Sequence, residues 1–147
     1  MGSQILPHFT SGVIVKGFGR GSKVLGIPTA NFPESVVEDL PKDLVTGIYY
    51  GWASLHRQIY KMVASIGWNP YYKNEKKSLE VHLLHKSQGD LYGEELKMII
   101  VGYIRPEKDF SSVEELIQEI RNDITIAEER LEEACLNKLK KHDFLIK

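Results

Sequence analysis

Cysteine is almost absent: Cys135 stands alone, so no internal disulfide can form. A reducing compartment is therefore the expectation, with stability left to the core. Neither sign of charge is in excess. Nineteen Lys plus Arg face twenty Asp plus Glu, a net charge of −1, which excludes a global basic field for holding a duplex, though not a local basic patch. Long apolar runs are missing too. The longest clean one lies near Met98 to Val101, far short of the ~20 residues a helix needs to cross a bilayer. No charged segment followed by an apolar one opens the chain, and Leu6 stands where a myristoylation signal wants Ser or Thr. The expected location is cytoplasmic, with a mitochondrial form as the alternative and no membrane partner. What is present is ordinary globular material: 147 residues, 42% hydrophobic and 27% charged. Disordered chains carry fewer apolar residues and more net charge. One domain over residues 1–147 is the expectation.

The first two thirds read as strands divided by Gly and Pro: Ser11–Lys16, Thr29–Phe32, Gly47–Leu55, Ile59–Trp68, Ser78–His85 and Glu95–Ile104. Most alternate with period 2 in β-branched or aromatic residues. Met62, Ala64 and Ile66 fall on one face, with Lys61, Val63 and Ser65 on the other. The short link Leu55–Gln58 suits an antiparallel hairpin. No long helical pattern intervenes between strands, which argues against a parallel sheet. Six short strands in a small domain predict a closed or nearly closed antiparallel β-barrel, because closure removes exposed edges.

The last third changes period. Ser111 and Ser112 stand three residues before Glu114 and Glu115, at capping-box spacing. Val113, Leu116, Ile117, Ile120, Ile124, Ala127 and Leu131 then recur at steps of three and four. The expectation is one amphipathic helix over about 111–134, packed on the barrel, then a charged, solvated tail over about 137–147.

Core-building leaves three segments unexplained. Gly17-Phe-Gly-Arg-Gly-Ser-Lys23 continues to Gly26; its glycines could turn N–H groups toward a phosphate, with Arg20 or Lys23 adding charge. It matches neither a Walker A loop nor the dinucleotide-binding pattern, because Ser22 and Val24 stand where those require other residues. A simple strand connection explains it equally well. Pro28-Thr29-Ala30-Asn31 puts a hydroxyl and a carboxamide oxygen on one side of an extended segment. These are hard neutral ligands that suit Mg²⁺ if a nucleotide completes its shell; the alternative is a polar turn beside Pro33. Asn69–Lys77 mixes aromatics with cations, as base-stacking surfaces and ordinary loops both do. Within the strand Ser78–His85, Glu80 shares a face with His82, opposite Leu79, Val81 and Leu83. A mid-strand carboxylate either faces solvent or serves as a base toward an attacking alcohol. His82 and His85 lie on opposite strand faces, poor geometry for zinc.

In this order the elements resemble the riboflavin kinase family, particularly its eukaryotic monofunctional members. The resemblance is carried by the glycine segment at 17–23, Gly26-Ile-Pro-Thr-Ala-Asn-Phe32, Gly47-Ile-Tyr-Tyr-Gly51, Ser65-Ile-Gly-Trp-Asn-Pro70, Glu80 before His82, Leu91-Tyr92-Gly93 and Gly102-Tyr-Ile-Arg105-Pro-Glu-Lys108-Asp-Phe110. It covers roughly residues 7 to 134, and Pro-Thr-Ala-Asn is its most specific signature. The resemblance implies a six-stranded antiparallel barrel with a C-terminal helix. It implies transfer of the γ-phosphoryl of ATP to the ribityl 5′-hydroxyl of riboflavin, giving FMN and ADP. By the same resemblance Thr29 and Asn31 would hold Mg²⁺ (zinc or manganese being alternatives), and Glu80 would be the catalytic base. Gly17, Lys23, Thr29, Asn31, Leu83, His85 and Tyr92 would meet ATP, and Arg105, Lys108 and Phe110 the flavin. The segments at 17–26 and 69–77 would close on the ligands.

Bacterial relatives carry an N-terminal adenylyltransferase domain, for which 147 residues leave no room, so the reaction is expected to stop at FMN. The expected state is a monomer with small-molecule substrates and no nucleic acid. The rival reading is a non-catalytic flavin- or oligonucleotide-binding β-barrel, which has no use for Thr29, Asn31 and Glu80 together.

Overall fold

Period-2 alternation divides each central strand between two apolar layers, and this division organises the computed structural model of the chain. The structure describes residues 6–15, 29–42, 44–68, 77–84, 93–108, 110–133 and 138–146. Its strands are β1 (His8–Val13), β2 (Thr29–Asn31), β3 (Gly47–Leu55), β4 (Gln58–Trp68), β5 (Lys77–Leu83) and β6 (Glu95–Arg105). A short helix α1 (Glu34–Glu38) follows β2; α2 (Val113–Leu131) follows β6; a 3₁₀ turn (Lys138–Lys141) and α3 (Asp143–Ile146) come last. All strand pairs are antiparallel, in the order β1-β6-β3-β4-β5-β2.

The sheet is curled but open, which corrects the expectation of a closed barrel. Closure needs its two edge strands to run side by side. The β1 ladder ends at Val13 and β2 is three residues long, so among the described residues the edges meet at one bridge, Val15 to Asn31, with the Val15 amide donating to the Asn31 carbonyl at 2.8 Å. Register shifts between β3 and β6 near Tyr49 and Tyr50 supply curvature. Glycine is required at the second shift, because a Cβ on Gly51 would stand 1.9 Å from the Ile99 carbonyl oxygen.

The concave face carries Tyr49, Ala53, Met62, Ala64, Ile66, Leu79, Val81, Leu83, Leu96, Met98 and Ile100 in one buried cluster. The convex face carries Tyr50, Trp52, Val63 and Ile99, which bury against Ala127 and Leu131 of α2. Ser112 caps α2 by accepting from the Glu115 amide at 3.2 Å. Glu115 reaches back to the Ser111 amide at 3.2 Å and hydroxyl at 2.9 Å, so Ser111 completes the box.

The C-terminal segment corrects a second expectation. It is not a solvated tail: Leu145 is 1% exposed in the convex cluster and Phe144 meets Phe9 edge-on at 5.4 Å. Among the described residues no helix is long and apolar enough to cross a membrane.

Candidate active site

Antiparallel pairing places directly opposed residues on the same face of a sheet. Asn31 of β2 is opposite Glu80 of β5, and Glu80 is opposite Ser65 of β4. One step along, His82 lies between Thr29 and Val63. The alternation that buries Leu79, Val81 and Leu83 inside therefore turns Glu80 and His82 outward, onto the face covered by α2. Asn31 and Glu80 are both half-buried, and His82 is buried.

Val63, Ser65, Glu80 and His82 of this row open into a cavity of about 580 Å³ between the convex face and α2. Ile48, Val63, Ser65, Glu80 and His82 form its floor. Val113, Leu116, Ile120 and Asp123 supply the helix wall, and Arg105, Glu107, Lys108, Phe110, Ser111 and Ser112 close one end. The size and mixed lining suit a small organic ligand with an apolar body and a polar end.

At the closed end, Phe110 is flanked by two cations, with the Arg105 guanidinium 5.8 Å and the Lys108 ammonium 5.7 Å from its ring centre. Arg105 is also committed elsewhere. Its Nε and Nη2 donate to the two Asp123 oxygens at 2.9 and 2.8 Å, and Nη1 donates to the Pro106 carbonyl at 3.2 Å. Lys108 stands 3.7 Å from Glu119. Burial pushes the Asp123 carboxyl up from its ordinary range, and the Arg105 bonds oppose that shift. This bidentate pair ties the end of β6 to the middle of α2.

The structure thus gathers Glu80, Arg105, Lys108 and Phe110 around one cavity, with Asn31 opposite Glu80 on the adjoining edge strand. The β2 backbone carries Thr29 there as well. Leu83 has its side chain in the inner cluster, fully buried. Gly17, Lys23, His85 and Tyr92 lie outside the described residues, as does most of 69–77. Asp123 escaped the sequence reading, although a signal exists: it interrupts the helical apolar stripe between Ile120 and Ala127. The role of Arg105 as its partner leaves no local trace in sequence.

A metal would find limited protein ligation here. Among the described residues no three His, Cys, Asp or Glu side chains gather. The Asn31 carboxamide beside the Glu80 carboxylate offers hard oxygen donors, which fits Mg²⁺ held mainly by phosphates and water and gives zinc no nitrogen–sulfur set.

Comparison with known proteins agrees with this arrangement. The sequence model of the riboflavin kinase (flavokinase) family matches residues 5–131. The human riboflavin kinase is 59% identical over 140 residues, covering 95% of this chain and 90% of its own. Among solved structures, riboflavin kinase from Trypanosoma brucei superposes with a TM-score of 0.72 at 28% identity, covering 91% of this chain and 85% of that one. A Streptococcus pneumoniae protein described as a macrolide-efflux protein gives a TM-score of 0.69 at 30% identity, covering 83% of this chain and 38% of its own. The family match spans β1 through α2 and so takes in the whole described row and its cavity, and with relatives of this identity and coverage the chain belongs to the riboflavin kinase family.

Proposed function

We propose that this chain transfers the γ-phosphoryl group of ATP to the ribityl 5′-hydroxyl of riboflavin, giving FMN and ADP, with Glu80 as the general base. One observation carries the reading. Asn31 and Glu80 are directly opposed across two strands, and Glu80 is also part of the floor of a cavity sized for a flavin. A nucleotide along the β2 edge and a flavin under α2 then approach Glu80 from opposite sides, as in-line displacement requires.

The flavin ring is placed against Phe110 and the apolar residues of α2, with Lys108 at its polar edge. Arg105 lines the same end while bound to Asp123, so its first contribution is to tie β6 to α2 at a fixed spacing. The Glu80 carboxylate takes the proton from the 5′-hydroxyl as its oxygen attacks phosphorus, and the ADP oxygen leaves with the bond electrons. Thr29 and Asn31 would hold Mg²⁺, which when bound neutralises charge on the phosphate oxygens. Gly17, Lys23, His85, Tyr92 and the Leu83 backbone complete the ATP side in this reading. The chain acts as a monomer, since α2 already covers the convex face.

Incubation with riboflavin, ATP and Mg²⁺, followed by chromatographic separation of the flavins, tests the reading. FMN and ADP should form in equal amounts. Riboflavin bound but not phosphorylated would replace the kinase with a flavin-binding module.

A further inference from the structure

His82 is a costly residue at its position. It is 7% exposed, lies between Thr29 and Val63, and its Nδ1 is buried with no hydrogen-bond partner. An apolar side chain there would match Val63 and leave no orphan, and an unsatisfied buried atom calls for an explanation. The other ring nitrogen supplies one: Nε2 stands 3.4 Å from Oε1 of Glu80, two residues along the same strand face. An ionised carboxylate only accepts, so the contact is attractive when Nε2 carries the hydrogen. In neutral imidazole that leaves Nδ1 as the bare acceptor, and Nδ1 is the atom without a donor. The orphan is thus the counterpart of aiming a donor at Glu80.

We infer that His82 is a positioning residue, whose Nε2–H holds Oε1 of Glu80 and leaves Oε2 to receive the riboflavin hydroxyl proton. The inference rests on the kinase reading above and goes beyond it. A glutamate on a strand has three rotatable side-chain bonds, and small displacements of a reacting group from its productive geometry are expensive in rate. His82 lies in the cavity floor, but its one polar contact there is with Glu80, and in this scheme it acts through that carboxylate. Its loss should therefore appear in kcat and leave substrate binding nearly intact.

The test compares three substitutions in the full chain, each checked for melting temperature and riboflavin binding by flavin fluorescence. His82→Leu fills the volume without a donor and should lower kcat about tenfold to a hundredfold, with both KM values within about threefold of the parent. His82→Gln puts an amide N–H near the place of Nε2 and should recover to within about threefold. His82→Asn is too short to reach Glu80 and should resemble Leu, and it stands in should Leu misfold. In a Glu80→Gln background, adding His82→Leu should change the residual rate less than about twofold, because both act through one group. Parental kcat in His82→Leu, equal loss in Gln and Leu, or an undiminished effect in the Glu80→Gln background would each overturn the inference. An active parent with such results leaves the kinase reading standing; a parent making no FMN removes both.

Discussion

At the residue scale the buried ion pair decides how the cavity is held. Arg105 and Asp123 satisfy each other with two short bonds, and Asp123 is 2% exposed. Removing Asp123 leaves Arg105 only the Pro106 carbonyl and Glu119 at 3.6 Å, and breaking such a pair costs about 3 kcal/mol. Asp123→Ala should lower unfolding stability by that order in urea and weaken riboflavin binding, since the same residue lines the cavity. The pH dependence follows from the raised carboxyl pKa. The folded state binds this proton more tightly than the unfolded chain, so the contribution of Asp123 is full below the ordinary carboxylate range and declines as pH rises through the folded pKa. Relative to Asp123→Asn, the parent should lose urea stability as pH is raised from about 4 to 7. A gap that widens in the parent's favour over that window would contradict the assignment. This acid was hidden because a helical stripe announces apolar residues, whereas an acid within it finds its meaning only in a distant arginine.

At the element scale, the β3–β4 hairpin turns through His56 and Arg57, both with left-handed φ of 51° and 68°. Two-residue turns of this kind favour glycine, and a β-carbon in that region is a strain. His56 is held by Glu94; Arg57 is exposed. Arg57→Gly should therefore stabilise the chain by about 0.5–1 kcal/mol, read as a raised urea midpoint at unchanged slope. The same hairpin shows what period-2 reasoning can do. Its strands and their pairing were legible from Gly47 to Trp68, and so were the two faces of β4, because alternation is local and the loop is short. The same logic separated Leu79, Val81 and Leu83 from Glu80 and His82, and the structure puts the first set in the inner cluster. At the helix start, Ser112→Ala should cost about 1 kcal/mol by removing the cap on the Glu115 amide.

At the scale of the whole molecule, local patterns stop being informative where distant segments meet. Strand count suggested closure, but closure depends on how far the two edges overlap, and among the described residues they meet at one bridge. The charges of Lys138, Lys140 and Lys141 read as solvent-facing, while Phe144 and Leu145 supply the contact that anchors the end of the chain against Phe9 and the convex cluster. Leu145→Ala should cost about 2–4 kcal/mol, the range for emptying a buried leucine site. The candidate site was legible to the extent that Glu80, Lys108 and Phe110 do line one cavity and Asn31 pairs across the strands with Glu80. Their convergence comes from sheet register and from α2 folding back over it, which single-segment reasoning cannot supply.

The central claim is that Glu80 does chemistry and not merely binding, and one paired measurement tests it. Steady-state FMN formation by Glu80→Gln should fall at least about a hundredfold in kcat, the scale of a lost general base, while riboflavin binding by fluorescence stays within a few-fold of the parent. A variant that binds riboflavin as the parent does and still makes FMN at a near-parental rate would contradict the account.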